Sequence, residues 1–355
     1  MFFIQSVKPS RYNPTRVFME IKIHHDISEI STSHWNHLLS RSEIDVPFLR
    51  YGYLKRWWDF RGGGEWPEES QLHIISGWDG ETLSGIAPLF SVKTETRNSL
   101  YFLGSIEISD YLDFICPRNK KDVFINLVIN TIVDDPGSLD QLVLMNIPQK
   151  STSLGLLEKH ASTAGWKVNI ESANHTPAIP LADNWDSYLA GIDKKQRHEI
   201  RRKLRRAEEY TDTVIWYIVS DATTLNGEID AFFRLMEMDE EKKAFLTPKM
   251  RDQMRSILNW AFEKGFLQLS FLQIDGEKAA GYLCFDYQSH ILVYNSGFDY
   301  SFSDYSPGWV LLSYLIQYAI ETGKTHFDFM RGDETYKYRF GAEDGFVMKA
   351  VLSRP

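Results

Sequence analysis

Two Asp-Gly turns, 196 residues apart, constrain this chain more than any other feature in it. Asp79-Gly80-Glu81 lies between apolar runs at 72–77 and 83–90, and Asp275-Gly276-Glu277 lies between runs at 267–274 and 279–287. Asp-Gly between such runs is a strong hairpin signal, because both residues accept the positive φ of a tight two-residue turn. The same spacing relates Gly85 to Gly281. The elements after each hairpin also agree. In the first half come strand-like runs at 101–103 and 111–116, a helical pattern over 121–133 and a strand at 141–147. In the second come a strand at 291–295, a helix over 308–322 and a strand at 325–330. Leu142-Val-Leu-Met-Asn146 parallels Phe327-Asp-Phe-Met-Arg331. A period of half the chain is too long for a solenoid. It predicts an α/β (α+β) protein made of two copies of one unit, each with antiparallel hairpins and one helical crossover. The alternative is a coincidence between two hairpins. A length of 355 residues suits two domains.

Upstream of the first hairpin, residues 1–16 read as a flexible tail with Pro9 and Pro14. A strand comes next at 17–23, then helices near 33–39 and 51–60. Gly62-Gly63-Gly64 reads as a flexible turn. No strand precedes it and no Lys-Ser/Thr comes after it, as a phosphate loop would require. Pro177 and Pro180 mark the join between the halves, and Asp183 or Asn184 can cap a helix from Trp185. The division is therefore 1–16, 17–176 and 177–355.

Composition excludes whole classes. Aromatic residues make up 14% and hydrophobic residues 43%, which supplies packed cores and rules out a disordered or collagen-like chain. A net charge of −9 argues against a general nucleic-acid coat. Cys116 and Cys284 form no CxxC pair and no zinc set, and fit a reducing compartment. The N-terminal apolar run is too short for a signal-peptide core, and the 309–320 run is too short for a bilayer. The reading is a soluble, cytoplasmic protein with no integral membrane span. The ten His residues form no HExxH or HxxxH pair, so no metal is expected.

Three constellations carry chemistry. The first is Lys194-Lys-Gln-Arg-His-Glu-Ile-Arg-Arg-Lys-Leu-Arg-Arg206, with eight Lys or Arg in thirteen residues. Ile200, Leu204 and Ala207 form a narrow apolar stripe, so this is a helix docked by one edge. Its basic faces, with Arg197 and Arg201 foremost, would seat a phosphorylated cofactor, an anionic substrate or RNA. A solvated face balanced by acidic neighbours is the alternative. The second is Ser306-Pro307-Gly308, opening an apolar helix after a strand that ends at Asn295-Ser296-Gly297. Free amides at such a helix start form an anion site, though many ordinary helices start this way. The third is the segment 327–341, where a strand ends in Asp328 and is succeeded by Arg331-Gly332-Asp333, Tyr336, Lys337 and Arg339. Charged and aromatic groups at a strand end suit a site; a surface ion-pair network is the alternative.

In this order the three features resemble the acetyltransferases of the GNAT superfamily that carry two tandem GNAT-like units, the BioF2-like or CelD-like group. The resemblance covers roughly residues 17–345. Trp185-Asp-Ser-Tyr-Leu with the basic helix is similar to that group's central signature. Ser306-Pro307-Gly308 and the 328–340 segment are similar to its C-terminal one, and Val46-Pro-Phe48 with Trp57-Trp58 to its N-terminal segment. Tyr336-Lys337-Tyr338-Arg339-Phe340-Gly341 is also similar to the Phe-Lys-x-x-Phe-Gly element of Fem-type aminoacyltransferases. Those enzymes transfer amino acids from aminoacyl-tRNA to peptidoglycan precursors. The usual GNAT pyrophosphate loop, Arg/Gln-x-x-Gly-x-Gly/Ala, is absent.

The resemblance implies an N-acyltransferase using acyl-CoA, most simply acetyl-CoA, on an amine of a cell-envelope or polysaccharide-related acceptor. The acceptor would be a small molecule or a glycan precursor. The first unit would be degenerate, and the second would carry the donor site. Asp328 and Asp333 are the candidate bases, and Tyr336 or Tyr305 would protonate the leaving thiolate. Lys337 would contact phosphate or steady the leaving group, with Arg331 and Arg339 offsetting charge. Asn295, Ser296 and Gly297 would polarise the acyl carbonyl. Ser306, Pro307, Gly308 and Arg339 would hold the donor. Asp110 and Asp113, with Arg197, Arg201 and Arg331, would face the acceptor. Two rivals remain: a Fem-type transferase that contacts tRNA through the basic helix, and a non-catalytic saccharide-binding module using Trp57, Trp58, Trp66 and Trp309.

Overall fold

A computed structural model describes residues 19–134, 139–209 and 213–355. The expected tail at 1–16 and the first two residues of the expected strand at 17–23 lie outside them. Both hairpins form. Thr82 pairs with Asp79 across Gly80-Glu81, and Glu277 pairs with Ile274 across Asp275-Gly276. Asp275 and Gly276 both hold positive φ (51° and 87°), whereas the first turn places only Gly80 there (61°).

Each half then runs through the same sequence of elements. In the first, strand Asn98–Phe102 leads through helix Arg118–Val133 to strand Gln141–Pro148, which lies parallel to it. In the second, strand His290–Phe298 leads through helix Pro307–Glu321 to the parallel strand His326–Asp328. A parallel pair needs such a crossover, and the helix covers one sheet face. The second sheet runs, in spatial order, Val214–Ile218, Leu267–Ile274, Glu277–Tyr287, His290–Phe298, His326–Asp328 and Ala178–Pro180.

The helices follow from their apolar periodicity. Leu225, Ile229, Phe232, Phe233 and Met236 form the buried stripe of helix Leu225–Met236. That helix lies against strand His290–Phe298 at Gly297, where a Cβ would fall 2.6 Å from the backbone of Leu235 and Met236. On the other face, a Cβ on Gly308 would fall 2.6 Å from the Phe298 ring, so glycine there lets the crossover helix press onto the strand.

Three expectations need correction. The segment 111–116 is not a strand; only Ile115 bridges, to Ile86. Its first residue, Tyr111, and the preceding Asp110 turn away to reach the second unit. The triple glycine is not a loose turn. Arg61 to Gly64 all hold positive φ, Gly62 and Gly63 are buried, and a Cβ on Gly63 would meet the Met250 side chain at 2.6 Å. The third correction concerns the division at 176/177. Strand Phe346–Ser353 belongs to the first sheet, antiparallel to both Gln141–Pro148 and Lys167–His175. In exchange, Ala178–Pro180 edges the second sheet. One core spans the join: the Phe48 ring meets Phe285 edge-on at 5.5 Å and stacks near Tyr294 at 6.3 Å. Among the described residues no helix is long and apolar enough to cross a membrane.

Candidate donor pocket and inter-unit clefts

The second sheet opens into a V. Strand His290–Phe298 pairs with His326–Asp328 only from His290 to Leu292, and beyond the Leu292–Asp328 pair the two part. On the opposite edge the register slips between Leu283 and Cys284, leaving Tyr294 as the extra residue of a bulge. The bulge sends the Tyr294 hydroxyl to the Ile108 carbonyl, 3.0 Å away in the first unit.

On the crossover-helix side of the V lies a pocket of about 290 Å³, walled by Tyr282, Ser296, Phe298, Leu312 and Tyr336 and ending at Ser306, Pro307, Gly308 and Trp309. Ser306 holds φ +53°, Pro307 occupies the first turn, and no side chain caps the helix. Pro307 has no N–H, and the Trp309 and Val310 N–H groups donate to the Ser306 carbonyl at 3.0 and 3.2 Å, so the Gly308 N–H and the helix dipole are what this start offers an anion. The basic helix, Lys194–Glu209, packs against this crossover helix with Ile200 and Ala207 buried, and the Tyr314 hydroxyl reaches its Glu208 at 3.1 Å.

The basic helix reaches the pocket through neither Arg197 nor Arg201. Arg197 donates to the carbonyls of Leu189 and Ala190 at 3.2 and 3.3 Å, closing the preceding helix, and Arg201 is exposed. Lys203 is the one at the pocket. Its Nζ lies 3.0 Å from Ser306 Oγ and 4.4 Å from the Trp309 ring centre, and burial lowers its pKa. The apolar stripe identified the docked edge, and Lys203 sits beside it between Ile200 and Leu204.

The three residues of the strand end separate. Ser296 walls the pocket, but its N–H is held by the Asn295 Oδ1 at 2.8 Å and its carbonyl accepts Lys242 Nζ at 2.6 Å. Asn295 lines a cleft on the other face, and Gly297 is packed under Leu235. Sequence alone does not single out Lys242, because nothing in Glu240-Glu-Lys-Lys distinguishes it from Lys243. Burial lowers its pKa, opposed by Asp239 and Glu334.

On the first-unit side of the V are two clefts, of about 340 and 310 Å³. Asp328 lines the larger with Tyr111, Lys150, Thr176 and Glu343; Arg331 and Asp110 line the smaller with Glu107 and Asn174. Two cross-unit contacts stand between them. The Tyr111 hydroxyl lies 3.0 and 2.9 Å from the two Asp328 oxygens, and Asp110 takes the Arg331 guanidinium and, at 3.1 Å, its backbone N–H. Burial pushes the Asp328 carboxyl up to about 7. The Met330 N–H and Tyr111 oppose the shift, and Asp110 reinforces it. Burial together with the Asp328 carboxylate keeps Tyr111 protonated, so it donates. Sequence reasoning missed Tyr111; its position between Asp110 and Asp113 was the available signal.

Three further expectations change. Asp113 does not face a cleft. It is fully buried, accepting from Ser151 and Ser153 and pairing at 2.8 Å with Lys121, which also pairs with Glu43 at 2.8 Å. Lys337 is 2% exposed, and its ammonium is spent on the carbonyls of Phe329, Arg331 and Gly332 (3.3, 2.9 and 3.0 Å) and on Glu334 at 2.8 Å. It holds one arm of the V and does not point at a phosphate. Asp333 and Arg339 are exposed, and neither lines these cavities. Tyr305 is half-buried outside the pocket lining, whereas Tyr336 lies within it. Of the tryptophans, Trp57 is core and Trp309 is at the pocket. Among the described residues no group of three or more His, Cys, Asp or Glu is placed to hold a metal.

Comparison with known proteins agrees with this geometry. Residues 194–338 match the family model described as acetyltransferase (GNAT) domain. No curated protein sequence matches significantly. Among solved structures, FemX superposes with a TM-score of 0.66 at 14% identity, over 94% of this chain and 97% of that one. L-PGS from Bacillus licheniformis gives 0.55 at 12% identity, over 91% of each chain. A tandem GNAT protein from the clavulanic acid biosynthesis pathway gives 0.50 at 8% identity, over 95% of this chain and 99% of that one. At such identities the likeness establishes fold. The chain thus has a tandem GNAT, Fem-like fold, and the match to an acetyltransferase (GNAT) domain over 194–338 in its second half supports an acyltransferase.

Proposed function

We propose that the protein moves an acyl group from acyl-CoA, most simply acetyl-CoA, to an amine on an acceptor lodged between the two units. The cell-envelope or polysaccharide-related nature of that acceptor follows from the family resemblance. The observation that carries the reading is the V itself. One of its faces opens on an uncapped helix start beside Lys203, and the other on Asp328. The residues present suit a CoA donor, with positive groups at one end of the pocket and Tyr282, Phe298 and Leu312 along its wall. Bound there, the donor supplies a thioester carbonyl.

The chain's own groups then divide the work. An amine attacks only when neutral, and Asp328, poised near 7, is suited to take its proton. Tyr111 keeps that carboxyl oriented. Lys242, with one carbonyl partner at Ser296, offers positive charge at the strand edge where the acyl oxygen would gain charge. Burial keeps the Tyr336 hydroxyl protonated, so it has a proton to give to the departing sulfur.

The aminoacyl-tRNA reading has one observation in its favour: the outward face of the basic helix, with Lys194, Lys195 and Arg201 exposed. The likeness to FemX points the same way. Thermal unfolding against CoA, acetyl-CoA, longer acyl-CoAs and a UDP-linked muropeptide separates the readings. A ligand at a hundred times its Kd stabilises by about 2.7 kcal/mol. Stabilisation by acetyl-CoA beyond that given by adenosine diphosphate supports the proposal. Stabilisation by the muropeptide alone, with none from any CoA, contradicts it in favour of the tRNA-dependent donor.

A further inference from the structure

We infer that Lys203 is the cation that reads the phosphoanhydride of the donor, so that the basic helix serves the pocket through one inward-turned side chain; this rests on the acyl-CoA reading above. The neighbours of Lys203 on the helix are already engaged or point outward. Arg197 closes the preceding helix, Arg202 takes Glu199 with two N–H donors at 2.9 and 2.7 Å, and Arg205 lies 3.8 Å from Glu209. Lys203 alone among them meets Ser306 and the Trp309 ring, both of which line the pocket.

Its charge is poorly compensated there. Glu199 is 3.8 Å away and is already held by Arg202. A half-buried ammonium resting on a hydroxyl and a ring face gains from an anion arriving in the same space. The crossover helix begins at that spot without a side-chain cap, adding its partial positive charge and the Gly308 N–H. Two positive features from separate elements thus converge at one end of a mostly apolar cavity, whose one acidic liner, Asp299, accepts from the Ser301 N–H and hydroxyl at 2.9 and 2.7 Å. A phosphoanhydride, with oxygens on two phosphorus atoms, meets both at once. Ser306, fixed at φ +53°, fixes the hydroxyl that holds Lys203, so the cation is in place before the ligand arrives. In a chain without the glycine-rich loop, Lys203 would do part of what that loop's amides do.

The test is calorimetric binding of CoA and of pantetheine, which has the same arm and thiol but no phosphate, to the wild type, Lys203→Met, Lys203→Gln and Lys203→Arg. Lys203→Met and Lys203→Gln should weaken CoA by roughly tenfold or more, the loss of a charge-assisted contact. Pantetheine should change by less than about twofold, and Lys203→Arg should stay near wild type. Lys203→Gln keeps a polar partner for Ser306, and its unchanged melting midpoint checks the fold. CoA binding to Lys203→Gln at wild-type strength overturns the inference and leaves the donor reading standing, as does an equal loss for CoA and pantetheine. A wild type that binds no CoA overturns the donor reading itself.

Discussion

The two units contain the same V, and only one of them is empty. In the first, strands Asn98–Phe102 and Gln141–Pro148 pair in parallel only over Ser99–Tyr101 with Gln141–Val143. The chain leaving Phe102 then folds back into the gap. Asn146 donates from Nδ2 to the carbonyls of Ile106 and Ser109 at 3.1 and 2.7 Å, and the Leu112 N–H donates to the Asn146 carbonyl. In the second unit the equivalent gap is flanked by two lysines instead. Lys242 holds the carbonyl on one arm, and Lys337 holds three on the other. The helix starts differ in the same sense. Neither start has a side-chain cap, but the first turn of Arg118–Val133 carries Lys121 locked to Asp113 and Glu43, whereas the lysine beside the start of Pro307–Glu321, Lys203, rests on a hydroxyl and a ring face. On the proposed reading, the first unit keeps the fold while its own loop and ion pairs fill the place that a donor takes in the second. The loop that fills the first gap also supplies Asp110 and Tyr111 to the second unit, so the first half shapes the clefts of the second.

The comparison breaks most visibly at the buried lysines. Lys121→Met leaves Asp113 buried without its cation and should cost about 3–5 kcal/mol, read as the shift in denaturant midpoint. Its effect on turnover per folded molecule should be small. Lys337→Met should cost less stability, about 1–3 kcal/mol for an unsatisfied buried group, yet lower turnover, because it frees the arm carrying Arg331 and Gly332. If the two variants exchange these phenotypes, the assignment of plugged and working units is reversed.

Asp328→Asn should lower turnover by roughly 10²–10⁴-fold with binding of acyl-CoA retained. The wild type's turnover should fall as pH drops below about 7, and the variant should lose that dependence. Stability gives a second readout with a definite sign. The folded carboxyl binds its proton more tightly than the usual 3.8 of the unfolded chain, so stability declines as pH rises from about 4 to about 7. A melting profile in which Asp328→Asn and wild type run parallel across that range contradicts the assigned environment. The smallest effect is expected at the helix surface: Arg205→Gln should change CoA affinity by less than about twofold, since exposed pairs contribute little. A large loss there would move the donor toward RNA.

Much of this organisation is legible in the chain. Asp-Gly hairpins at a fixed spacing, apolar helical stripes and the charged strand end at 327–341 are local signals, and the elements they predict are present. Long-range facts leave no such trace. Strand Phe346–Ser353 reads like any strand, and only the partners it finds place it in the first sheet. Asp110 and Asp113 stand three residues apart with the same chemistry. One faces a cleft against Arg331 and the other is sealed against Lys121, because the loop between them reverses its facing. Lys337 sits in the motif that suggests a phosphate ligand, but the positive φ of Met330 and Gly332 turns backbone carbonyls toward it instead. Tyr111, Lys203 and Lys242 matter through neighbours more than a hundred, about a hundred and about fifty positions away, respectively, which no window on the sequence spans.

The central claim is that the second unit's V takes the donor and the first unit's does not. Backbone hydrogen exchange with and without saturating acetyl-CoA tests it directly. The account predicts slowed exchange in 293–298 and 307–312, with the first-unit counterparts 102–106 and 118–121 unchanged. Protection at the first-unit segments, or none at 307–312, would contradict it.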